Sequence, residues 1–123
     1  MTSQRLLFLI EPDPVLVEII TGRFSHYGFA VASYQEGLAA WRKSYELVPN
    51  VVLSELRLPD VSGVELIRLL RSAPRLANTQ IVIFTNYPSR ADCEDCLSAG
   101  ASKFFSKNEV SLQRLPELVS GNR

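Results

Sequence analysis

Two carboxylates, a hydroxyl and an ammonium each stand at the end of a short apolar run. Leu6-Leu7-Phe8-Leu9-Ile10 ends at Glu11, and Val51-Val52-Leu53 passes through Ser54 to Glu55. Ile81-Val82-Ile83-Phe84 ends at Thr85, and Phe104-Phe105 passes through Ser106 to Lys107. If the runs are parallel strands of one sheet, the four polar groups converge. Open parallel α/β sheets place their sites outside the carboxyl ends of the strands. Two acids beside an ammonium and a hydroxyl look like a phosphate-handling pocket, in which the cation and the hydroxyl meet the anion.

The elements that must hold these groups follow from the alternation of apolar β-rich runs with longer helix-like stretches, the pattern of a parallel sheet covered by helices. Strands are expected at Arg5–Ile10, Phe29–Ser33, Val51–Leu56, Gln80–Thr85 and Lys103–Phe105. The first helix opens at Asp13-Pro14, an N-cap acid before a proline, and runs to about Tyr27, where Gly28 ends it. Leu16, Ile20, Phe24 and Tyr27 keep helical spacing. A second helix covers about Glu36–Leu47, with Ala40, Trp41 and Ser44 on one stripe and Tyr45 at its rim. Ser62-Gly63-Val64-Glu65 and Ser89-Arg90-Ala91-Asp92 have capping-box spacing and open the third and fourth helices, the fourth ending at Gly100. Ala73–Thr79 reads as a loop. The last helix lies within Glu109–Ser120. Pro116 inside it would remove a backbone bond at a cost of about 3 kcal/mol, so the helix either starts late or kinks.

Composition narrows the class. The chain has 123 residues, 46% of them hydrophobic and 21% charged, which suits one domain with a full core. Thirteen basic residues balance thirteen acidic ones, which argues against a nucleic-acid or anionic-surface binder. No apolar stretch approaches the roughly 20 residues of a membrane span, and the apolar run after Arg5 is short for a signal peptide. The expectation is a cytoplasmic protein without a membrane anchor. Cys93 and Cys96 cannot staple such a fold. A C-x-x-C can do redox or metal chemistry, but this one falls inside a helix with no second Cys/His pair, and packing is the plainer reading. Val15, Val17 and Ile19 add apolar area to the first helix beyond its core stripe, which suggests a partner or homodimer surface.

With the residues laid out, the chain resembles the receiver domain of two-component response regulators. Leu9-Ile10-Glu11-Pro12-Asp13-Pro14 is similar to the acidic cluster after the first strand. Val52-Leu53-Ser54-Glu55-Leu56-Arg57-Leu58-Pro59-Asp60-Val61-Ser62-Gly63 is similar to the phosphoacceptor segment. Ile83-Phe84-Thr85-Asn86 and Gly100-Ala101-Ser102-Lys103-Phe104-Phe105-Ser106-Lys107 resemble the switch-hydroxyl and closing-lysine segments. The resemblance covers nearly the whole chain. It implies a flavodoxin-like (βα)5 doubly wound parallel sheet, strand order 2-1-3-4-5, as a single stand-alone domain.

The resemblance also shows where this chain departs. Family members carry two adjacent acids after the first strand to hold Mg²⁺; here the pair is Glu11-Pro12, and proline brings no side-chain oxygen. Asp13 is next to it, but reads as the N-cap of the first helix. The phosphoacceptor position holds Glu55 instead of aspartate, which moves the carboxylate by about 1.5 Å. Displacements near 1 Å can cost about a hundredfold in a reaction that depends on in-line geometry. No metal or other cofactor is therefore expected beyond weak Mg²⁺ binding at a degenerate site of Glu11, Pro12 and Glu55. The same extra length carries a negative charge toward the place of a phosphoryl group, within reach of Lys107 and Thr85. Asn108 stands where the family commonly has a proline after a cis bond, and a trans bond is expected here. Asn86 is bulkier than the small residue usual after the switch hydroxyl and narrows access. Phe104 takes the position of the family's rotating aromatic; burial and switching are both open to it.

Three readings of function follow. In the first, the chain is a signalling module, not an enzyme, that works by phosphorylation-independent contact with a histidine kinase, an effector or another signalling protein, or as a homodimer, and binds no nucleic acid itself. In the second, it is an active phosphoreceiver that takes phosphate from a histidine kinase onto Glu55 or a nearby acid such as Asp60. In the third, Cys93 and Cys96 sense redox state.

Overall fold

The computed structural model of the chain describes residues 4–120. The elements alternate strand and helix throughout. They are β1 (Arg5–Ile10), α1 (Pro14–His26), β2 (Phe29–Tyr34), α2 (Gly37–Lys43), β3 (Val51–Ser54), α3 (Gly63–Arg71), β4 (Gln80–Thr85), α4 (Arg90–Ala99), β5 (Lys103–Ser106) and α5 (Leu115–Ser120). All strand pairs are parallel, in the order β2-β1-β3-β4-β5. This is the expected flavodoxin-like (βα)5 arrangement.

The sheet separates two apolar layers, because successive strand residues face opposite sides. Leu7, Leu9, Val51, Leu53, Val82 and Phe84 pack with Ile20 and Phe24 of α1 and with Leu115 and Val119 of α5. Phe8, Ile10, Val52, Ile81 and Ile83 pack with Ala40 of α2, Leu66, Ile67 and Leu70 of α3 and Cys96 of α4. The central strands are buried on both faces, hence their unbroken apolar runs. No helix among the described residues is long and apolar enough to cross a membrane.

Helix starts are mostly local. Asp13 accepts the Val15 N–H at 2.9 Å, Ser62 accepts the Glu65 N–H at 3.1 Å, and Ser89 with Asp92 forms a full capping box. The start of α2 is different. Glu36 makes no capping bond; the Gly37 and Leu38 N–H groups donate instead to Asp60, from the loop after β3, at 3.0 and 2.9 Å.

Several boundaries differ from expectation for visible reasons. α2 stops at Lys43 and not near Leu47, because the Ser44 hydroxyl donates to the Trp41 carbonyl at 2.6 Å and the chain turns. β3 stops at Ser54 and not at Leu56, because the Leu56 and Arg57 amides bond to the Glu55 side chain instead of a neighbouring strand. The loop after α3 contains one 3₁₀ turn, Pro74–Leu76. α5 starts late, at Leu115, so that Pro116 sits in its first turn, where no intrahelical partner for an N–H is lost.

Candidate functional site

Strand register brings the polar ends together. Ile10 is level with Ser54, and Ser54 with Ile83, so Glu11 and Glu55 leave the sheet side by side. The Glu55 N–H still donates to Ile10 O, and the Lys107 N–H to Thr85 O, so backbone bonds anchor both residues. Side chains then close over the strand ends. The Lys107 ammonium donates to Glu11 Oε1 at 2.7 Å and to Glu55 Oε1 at 2.8 Å. The three side chains are only 5–11% exposed.

Every oxygen of the two carboxylates is engaged. Glu11 Oε2 accepts the Asp13 N–H at 3.1 Å. Glu55 Oε2 accepts the N–H groups of Leu56 at 2.7 Å and Arg57 at 3.1 Å, together with the Thr85 hydroxyl. Burial alone would push the Glu55 carboxyl up, but the bonds from Lys107, Thr85 and the Arg57 backbone outweigh it and hold the group below its ordinary value. Burial would likewise lower Lys107, and the hydrogen bonds to Glu11 and Glu55 raise it above its ordinary value. Both groups are therefore charged near neutrality.

Magnesium needs near-octahedral oxygen ligands. Here Pro12 offers no side-chain oxygen, and the oxygens of Glu11 and Glu55 already face an ammonium, amides and a hydroxyl. The donor set as placed does not fit the ion. The ammonium lies between the two carboxylates and serves as their counter-charge.

The other expected residues take clear places. Asp13 borders the cleft of about 260 Å³ above the site, but its carboxylate caps α1. Asp60 caps α2, and its carboxyl, pushed up by desolvation, is held below its ordinary value by the N–H groups of Leu38 and Gly37. Phe104 is half-buried against the layer under α2–α4. The Lys107–Asn108 peptide is trans. Cys96 is buried in the core, and burial with the nearby acids pushes its thiol up to about 11; the nucleophile in thiol exchange is the thiolate, which Cys96 lacks near neutrality. Val15 and Ile19 are exposed, whereas Val17 packs on the core.

Arg57 is the site residue the sequence reading missed. It donates to Thr85 Oγ1 at 3.1 Å, to the Asn86 carbonyl at 3.2 Å and to Asp92 at 3.3 Å. The guanidinium thus bridges the Thr85 hydroxyl and the first turn of α4. The one available signal was its position two residues after Glu55. Asn108 was noted only for its peptide bond, yet its side chain accepts the Tyr87 N–H at 2.9 Å.

Known proteins resemble this chain in sequence and in fold. A "Gliding motility regulatory protein" of Myxococcus xanthus is 25% identical over 118 residues, 95% of this chain and 15% of that protein. The "DNA-binding response regulator MtrA" of Mycolicibacterium smegmatis is 29% identical over 106 residues, 86% of this chain and 45% of that protein. The chain therefore spans less than half the length of either relative. The solved structure of the chemotaxis response regulator CheY4 of Vibrio cholerae has the same fold, with a TM-score of 0.88 at 16% identity over 97% of this chain and 98% of that one. The family model for the response regulator receiver domain matches residues 7–120, from β1 to the end of α5, and by that match the chain belongs to the response regulator receiver domains.

Proposed function

We propose that this receiver domain signals by protein–protein contact without being phosphorylated, with Glu55 as a standing, partial substitute for a phosphorylated aspartate. The observation that supports this most is the double engagement of Glu55. Its carboxylate holds the Lys107 ammonium and the Thr85 hydroxyl, the two groups that the family resemblance assigns to the phosphate. The substitute is partial because a carboxylate carries one negative charge and a phosphoryl group nearly two. The partners are a histidine kinase, an effector or another signalling protein, or a second copy of the chain. Neither a metal nor direct nucleic-acid binding belongs to this reading. A cytoplasmic location does, and the two free cysteines suit a reducing compartment.

The test is incubation with Mg²⁺ and acetyl phosphate, followed by intact mass. No gain in mass is the expected result. A stoichiometric gain of one phosphoryl group would overturn the reading and establish a working phosphoreceiver in its place.

A further inference from the structure

Tyr87 has a left-handed backbone, φ 45°, the only non-glycine residue to do so among those described. The residue is 78% exposed, so burial does not offset the conformation. Such a backbone is unfavourable for a residue with a Cβ and persists where the surroundings over-determine it. The Tyr87 N–H donates to Asn108 Oδ1 at 2.9 Å, and the Ser106 hydroxyl donates to the same oxygen. Asn108 lies two residues after β5 and Tyr87 two residues after β4, so one side-chain oxygen joins the loop that carries Lys107 to the loop that follows Thr85.

The same segment is gripped from the other side. Arg57, from the loop after β3, donates to the Asn86 carbonyl and to Asp92. Asp92 in turn accepts the Ser89 N–H at 2.9 Å and returns its own N–H to Ser89 Oγ, which forms the first turn of α4. Residues 86–92 are thus tied to β5 through Asn108 and to β3 through Arg57.

We infer that Asn108 and Arg57 form a two-sided latch that holds the segment Asn86–Asp92 and the start of α4 in one arrangement without a phosphoryl group. It rests on the proposed reading of Glu55 as the standing charge of the site and adds how that state reaches α4. Glu55 takes the Thr85 hydroxyl, Thr85 precedes Asn86 directly, and the Arg57 guanidinium joins both to Asp92. Asn108 acts only as an acceptor toward its two donors. Aspartate therefore keeps the latch, whereas alanine removes it.

The test is amide hydrogen exchange on the full chain, comparing the native protein with Asn108→Ala, Asn108→Asp and Arg57→Ala. Asn108→Ala should speed exchange across residues 87–92 by about tenfold, with β1, β3 and β4 unchanged. Arg57→Ala should loosen the same residues, and Asn108→Asp should match the native protein. Unchanged exchange at residues 89–92 in Asn108→Ala would overturn the latch, because the bond would then be local to Tyr87. Acceleration in Asn108→Asp equal to that in Asn108→Ala would overturn it too. The acetyl phosphate experiment separates the two levels. A mass gain with the expected exchange pattern removes the reading of Glu55 and leaves the latch. No mass gain with unchanged exchange removes the latch and leaves the reading of Glu55.

Discussion

Lys107 and Glu55 meet at 2.8 Å across 52 residues of chain, with both side chains about nine-tenths buried. Glu11 closes the group from the other side of the ammonium at 2.7 Å. The site here is an ionic cluster in which one lysine bridges two buried carboxylates, and that arrangement has measurable consequences.

Removing the lysine leaves two buried carboxylates without their counter-charge. Breaking a buried pair by deleting one partner costs about 3–5 kcal/mol. Lys107→Met should lower unfolding stability by that amount in urea. Adding Glu11→Gln and Glu55→Gln should recover most of the loss, because the uncompensated charge is then gone. If Lys107→Met alone leaves the urea midpoint in place, the cluster does not hold the fold.

The pH dependence has a fixed sign. Glu55 titrates below its ordinary 4.5 in the folded chain, so its contribution is present above 4.5 and is lost as pH falls through the lower folded value. Lys107 titrates above its ordinary 10.5, so its contribution is full below 10.5 and is lost as pH rises through the higher folded value. Stability from this pair should be flat between these limits. Urea unfolding across acid pH should show a shallower decline below 4.5 for Glu55→Gln than for the native chain. Equal slopes would show that Glu55 does not contribute there.

Restoring aspartate at position 55 alone should not restore phosphorylation. Glu55→Asp withdraws the carboxylate by about 1.5 Å, but Pro12 still supplies no metal ligand. Calorimetry with Mg²⁺ and mass after acetyl phosphate should both stay negative for this variant. Pro12→Asp with Glu55→Asp should bind Mg²⁺. Robust labelling of the single variant would sink this account of the metal site.

Asp60 caps α2 from outside that helix. Asp60→Ala removes the acceptor of two N–H groups and should cost about 1 kcal/mol, within the 0.5–2 kcal/mol range of N-cap losses. Asp60→Asn should lose less, because one amide oxygen remains. Calorimetric unfolding of the two variants checks this, and equal melting temperatures for native and alanine forms would refute the cap.

Most of the architecture was legible from local patterns. The apolar runs are central strands because only strands buried on both faces lack alternation. Asp13-Pro14, Ser62 and Ser89 announce helix starts because their cap bonds reach only two or three residues along the chain. α2 starts where expected, with Glu36 as its N-cap residue, but ends early, and neither of its terminal side-chain bonds was legible. Its cap comes from Asp60, 23 residues away, and its end comes from a Ser44 hydroxyl that competes with the helix bond. Within the candidate site, Glu11, Glu55, Thr85 and Lys107 were legible because each stands at the end of an apolar run or one residue beyond it. Arg57 was not, because a long side chain in a loop carries no periodicity, and its three partners lie 28 to 35 residues away.

Residue type alone determined which donors the site can offer: proline brings no side-chain oxygen, and glutamate is one methylene longer than aspartate. Only the tertiary structure decided which partners those donors meet. Strand register set Glu11 beside Glu55, the flexible stem of Lys107 reached both, and the extra methylene let the Glu55 carboxylate turn back onto the Leu56 and Arg57 amides while still holding Thr85. Side-chain reach across strand ends depends on where the strands stand relative to one another, and no linear spacing encodes that.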